Sequence, residues 1–172
     1  MITENKGVVT GILIAATLWF FMFSPWTAPM INFWGAMTFS AVILTCVSRW
    51  LCPEMFKELR FGGKQIVLGF AIAFVLWWVF WIGDKMSQLI FNFARPQVDM
   101  IYSMGNGTSS VIIAILLLLI IGPAEEIFWR GFVQRRLMLR FGSNIGFIAT
   151  TVCYALVHIW SFNFMLVMAA LV

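Results

Sequence analysis

Residues 110–130 read SVIIAILLLLIIGPAEEIFWR. Residues 111–121 are aliphatic throughout, a run suited to lipid, yet Glu125, Glu126 and Arg130 follow within ten positions. An ionised side chain at the centre of a bilayer costs about 2.5–3.5 kcal/mol on insertion scales. The stretch therefore fixes two things at once. The chain belongs in a membrane, and it carries charge where charge needs a partner.

The whole composition agrees. Of 172 residues, 62% are hydrophobic and only 10% charged. A soluble domain is about half apolar and about a quarter charged. Nine Trp and 18 Phe suit bundle cores and interfacial belts. The net charge of +4 does not point to nucleic acid, because the basic residues flank apolar runs as loop charges do.

Working outward, the apolar runs divide the chain into spans at about 8–23, 30–50, 66–82, 111–140 and 145–160. A sixth opens at NFMLVMAALV, where the sequence stops. The expectation is an all-α, multi-pass transmembrane helical bundle of about five full spans plus a truncated sixth, in a single domain covering 1–172. Lys6 followed by an apolar run resembles a signal peptide, but no small-residue cleavage site follows, so a retained first helix is expected. The mixed stretch after Gly83 reads as an interfacial or partly extramembrane helix. Ser109 or Ser110 is the expected N-cap of span four, and FGSN (141–144) a turn.

Arg49, Lys57, Arg60, Lys64, Arg135, Arg136 and Arg140 fall on one side of this arrangement, and Lys85 and Arg95 on the other. Cytoplasmic loops collect Lys and Arg, so the N-terminus is expected inside, in the cell membrane. Cys46, Cys52 and Cys153 have no metal or CxxC spacing and read as packing thiols. Gly105 and Gly107 lack the context of a phosphate loop, and Asn106 begins a glycosylation tripeptide of a kind common by chance.

Glu126 and Arg130 are four apart, carboxylate first, the favourable order for a helical ion pair. Glu125 is then left over, pointing about 100° away round the helix. Pro123 fits if it kinks the helix or starts a new segment. If spans four and five form an antiparallel hairpin at FGSN, residues at equal depth have numbers with a constant sum. Glu125 and His158, the chain's single histidine, are then symmetric about the turn, each about 16 or 17 residues or roughly 25 Å from it. A carboxylate and an imidazole at one depth suggest proton chemistry, the two activating one water for attack on a peptide carbonyl. The same spacing also allows a lock between two helices, or an ion or proton pathway.

EEIFWR (Glu125, Glu126, Arg130) followed by YALVH (Tyr154, His158) resembles the first two motifs of the CAAX protease and bacteriocin-processing (CPBP, formerly Abi) family of intramembrane endopeptidases. The resemblance runs from about residue 120 to 160. It implies hydrolysis of membrane-associated peptides or CAAX-type protein C-termini, near the inner face of the membrane. Glu125 would be the general base, and His158 would orient or help activate the water. Glu126, Arg130 and Tyr154 would support them, Arg130 holding Glu126 or the substrate. Tyr154 stands where the family usually has Phe.

No cofactor is implied, and two Glu with one His make a poor zinc set. The family's third motif, a second histidine followed by Asn or Asp, is missing. The chain is therefore expected to lack C-terminal helices and to be impaired, since losing an oxyanion donor costs about 10²–10³ in rate. The partners implied are a peptide or protein substrate and the lipid bilayer. The alternatives are an inactive bacteriocin-immunity or scaffold protein, and an ion or proton carrier.

Overall fold

A computed structural model describes residues 2–58 and 62–172, with side chains from residue 7 onward. Arg60 and the side chain of Lys6, both used in the sequence reading, lie outside the described residues. Among the described residues every regular element is helical. Helix α1 is Ile2–Phe23, α2 Phe33–Leu51, α3 the single turn Met55–Glu58, and α4 Gly63–Ile90. Helix α5 is Ala94–Ser103, α6 Ser110–Phe141, α7 Ser143–Val157 and α8 Phe164–Leu171.

Helices α2, α4, α6 and the stretch Ser143–Ser161 containing α7 are long and apolar enough to cross a membrane, and Gly7–Phe23 is a shorter apolar helix. Together they make a multi-pass membrane protein. The spans stand where the apolar runs put them, with one difference. Helix α4 does not stop near Ile82 but continues through Gly83 to Ile90. Asp84 sustains it: its carboxylate accepts from Gln88 Nε2 at 2.7 Å and its carbonyl from Ser87 Oγ at 2.9 Å. Only α5 remains of the expected interfacial helix. It is tied to α8 by Gln97, whose carbonyl accepts from Asn163 Nδ2 (2.8 Å) and whose side chain accepts from Met165 N–H (3.0 Å).

The core lies where α1, α2, α6 and α7 meet. Trp19, Met22, Leu44, Phe128, Trp129 and Phe132 fill it. Apolar burial contributes little between helices already in lipid, so close packing must hold the bundle. Small residues permit that approach: Ala15, Ser40, Ser48, Ala41 and Ala124 are all buried. The buried hydroxyls of Ser48 and Thr150 donate to carbonyls four residues back, at 2.8 Å each, so none is stranded in hydrocarbon.

Gly142 closes the α6–α7 hairpin with φ +86°, a backbone region that favours glycine. Ser109 is the N-cap of α6 by position, although its side chain caps nothing. Of the three thiols, Cys52 is buried, Cys153 half-buried against the core, and Cys46 faces out of the bundle. Cys46 is thus not a packing thiol within it.

The cation-rich end of the bundle is held by paired charges. Arg135 forms a two-pronged pair with Glu58 of α3, its Nη2 lying 2.9 Å from Oε1. Arg136 donates to Glu54 at 2.7 Å and to the Leu51 carbonyl at 3.2 Å. The Cys52 thiol also donates to Glu54, at 3.2 Å. These arginines stand near the C-terminus of α6, where the helix dipole favours positive charge. Hydrogen bonding from Arg135 holds the Glu58 carboxyl below the usual range. Glu54 is held below it by its own backbone and then by Cys52, while burial pushes the Cys52 thiol up.

Candidate active site

Helix α6 changes its winding at the charged motif. Residues 117–121 and 126–134 are wound as π-helix, with one α turn, Gly122–Glu125, between them. Such widened turns often occur at functional sites. Gly122 N–H donates to the carbonyl of Leu117, five residues back. A Cβ at Gly122 would lie 2.7 Å from that oxygen, so the turn requires glycine. Pro123 follows directly and has no N–H to satisfy. The span runs on through Pro123, which stands at the start of the short α turn between the two π-wound stretches.

This backbone sends the two glutamates to different places. Glu126 turns out of the bundle and pairs with Arg130 at 3.5 Å, the side chains remaining 63% and 48% exposed. The expected ion pair therefore forms, on the outside of the bundle. The Arg130 guanidinium also lies 5.2 Å over the Tyr154 ring. Arg130 thus holds Glu126, one of the two roles expected for it.

Glu125 turns inward. Its Oε2 accepts a 2.7 Å hydrogen bond from the Tyr154 hydroxyl. One turn further along α7 stands His158, only 6% exposed. Its Nδ1 lies 2.8 Å from the Tyr154 carbonyl, and its Nε2 accepts from the indole N–H of Trp19 at 2.9 Å. Tyr154 thus touches both residues that the hairpin symmetry paired: its hydroxyl holds Glu125 and its carbonyl holds His158. Sequence reasoning missed Trp19. An isolated Trp in an apolar helix has no signature separating it from a core or belt residue.

Glu125, Tyr154 and His158 line one cavity of about 320 Å³, walled by Phe23, Trp34 and Leu166. Trp34 also lines a larger groove, about 570 Å³, between α2 and the first half of α6. The cavity sits at the C-terminal end of α1 and the N-terminal end of α2. That is the end opposite Arg135, Arg136 and α3. With the cation-rich end on the inner side, the cavity would lie toward the outer side.

Glu125 Oε2 and both nitrogens of His158 already hold protein partners. Among the described residues, no three His, Cys, Asp or Glu side chains converge as ligands.

Residues 107–172 match the family described as type II CAAX prenyl endopeptidase Rce1-like. That stretch contains all five motif residues, from Glu125 to His158, and the family is the CAAX protease family they resemble. No curated protein and no solved structure matches the chain.

Proposed function

We propose that this chain is an intramembrane endopeptidase that hydrolyses peptide bonds of membrane-associated peptides or CAAX-type protein C-termini. The observation that carries this reading is the single cavity bordered by Glu125, Tyr154 and His158, inside the stretch matching an endopeptidase family. Glu125 is the general base. It takes a proton from water while the water oxygen attacks the scissile carbonyl. It then returns the proton to the amide nitrogen, which leaves as an amine. Tyr154 holds the carboxylate in place and His158 forms the adjoining wall. Arg130 steadies Tyr154 from outside while neutralising Glu126.

The same reading places the cation-rich end in the cytoplasm with the N-terminus, and the cavity toward the opposite face. A proton carrier is less favoured. The hydrogen-bonded series from Glu125 through Tyr154 and His158 ends at Trp19, whose indole can only donate. An immunity or scaffold protein has no need of a carboxylate aimed into a cavity.

The experiment is reconstitution of the full chain in liposomes with two peptide sets, prenylated CAAX C-termini and unmodified membrane-associated peptides, and mass spectrometry of the products. Cleavage of either set supports the reading and selects the substrate class. Intact peptides in both sets, with the protein folded, overturn it.

A further inference from the structure

Both ring nitrogens of His158 are occupied, and the two contacts differ in kind. An indole N–H is a donor and never an acceptor. The 2.9 Å contact from Trp19 Nε1 therefore requires a lone pair on His158 Nε2. The imidazole proton must then sit on Nδ1, where it is donated to the Tyr154 carbonyl at 2.8 Å. The geometry admits one form, the neutral Nδ1–H tautomer. Nor is the ring free to turn. Trp19 meets it edge-on at 5.9 Å between centroids, Phe23 lies at 5.4 Å and the Tyr154 ring at 5.0 Å. Trp19 is itself only 1% exposed and packs edge-on against Trp129 at 6.4 Å.

We infer that Trp19 is a positioning residue of the site. It locks His158 in the Nδ1–H tautomer by engaging the Nε2 lone pair, so that proton abstraction falls to Glu125. Trp19 lies outside the matched residues 107–172, so α1 belongs to the catalytic arrangement and is more than a membrane anchor. Through Nδ1 His158 holds the Tyr154 carbonyl, and the Tyr154 hydroxyl holds Glu125. The catalytic half of this inference rests on the peptidase reading. The tautomer lock does not.

A single histidine makes the test direct, because ¹⁵N-histidine labelling of the full chain reports His158 alone. In lipid nanodiscs near neutral pH, the wild-type spectrum should show Nδ1 protonated and Nε2 unprotonated. A protonated Nε2 in the wild type overturns the lock without reference to any variant. Trp19→Phe keeps an aromatic ring in the core and removes the donor together with part of the indole's volume. It should bring in the Nε2–H form, whereas Tyr154→Phe, which keeps the carbonyl, should not. Identical spectra for wild type and Trp19→Phe also overturn the lock.

In the cleavage assay Trp19→Phe should lower kcat roughly tenfold with KM little changed, the scale of one lost hydrogen bond. An altered spectrum with unchanged kcat overturns the catalytic half alone. An intact lock in a protein that cleaves nothing leaves the tautomer assignment standing and removes the peptidase reading.

Discussion

The Tyr154 hydroxyl donates to Oε2 of Glu125 at 2.7 Å, and the Tyr154 carbonyl lies 2.8 Å from Nδ1 of His158. One residue on α7 thereby sets the position of both side chains that border the cavity. Tyr154→Phe isolates the first of these contacts. The ring, its packing on Trp129 and its contact with Arg130 survive, and only the hydroxyl is lost. A hydrogen bond to a charged group contributes about 1.5–3 kcal/mol. The variant should fold normally and lose roughly tenfold or more in kcat, with KM little altered. Full activity would mean the carboxylate is held by something else.

Arg130 carries two contacts, and a double-mutant cycle separates them. Arg130→Ala leaves Glu126 without its partner on the outside of the bundle at membrane depth. That should lower stability by about 1–3 kcal/mol, more than Glu125→Ala does. Adding Glu126→Gln removes the stranded charge and should recover most of the loss. Arg130→Lys keeps the pairing but not the planar cation over Tyr154, so it should restore folding better than turnover. Equal thermal midpoints for Arg130→Ala and wild type would show that water already compensates Glu126.

The α3 clamp gives an acid-sensitive end to the bundle. Glu54 and Glu58 titrate below their usual range in the folded protein. A carboxyl depressed in this way adds stability above its unfolded value, about 4.3 for Glu. That stability is lost as pH falls through the folded value. Thermal midpoints measured from about pH 7 to about pH 3 should drop at the acid end. The double variant Glu54→Gln/Glu58→Gln should begin slightly lower and fall less. Parallel profiles would show that the clamp adds nothing to stability.

Orientation is open to a direct check. With Cys46, Cys52 and Cys153 replaced by alanine, one cysteine is introduced at Met30, near the cavity, or at Lys57, on α3. A membrane-impermeant thiol reagent added outside intact cells should label Met30→Cys and spare Lys57→Cys. The reverse pattern would put the cavity on the cytoplasmic side and overturn the assignment from loop cations.

The spans were readable in the sequence because lipid-facing helices are apolar all round, and the run lengths alone mark them. The hairpin was readable because Gly142 interrupts two long runs, and its symmetry put Glu125 and His158 at one depth. Side-chain direction was not readable. An assumed α-helical period cannot anticipate the π winding at 117–121 and 126–134. Successive residues diverge by about 100° in any helix; which of the two glutamates faces inward depends on the rotation of the helix, and it is Glu125. The extension of α4 to Ile90 was hidden because charge at Asp84 and Lys85 looked like a boundary, although Asp84 bonds within the helix. Trp19 was hidden among nine tryptophans.

Whether Glu125 is the base for peptide hydrolysis is decided by cleavage rates of wild type and Glu125→Gln in the same liposomes. The substitution keeps size and an oxygen for Tyr154 while removing the ability to take a proton. Glu125→Gln should lose about 10²–10⁴-fold in rate with folding intact. Cleavage at the wild-type rate by Glu125→Gln would contradict that role for Glu125.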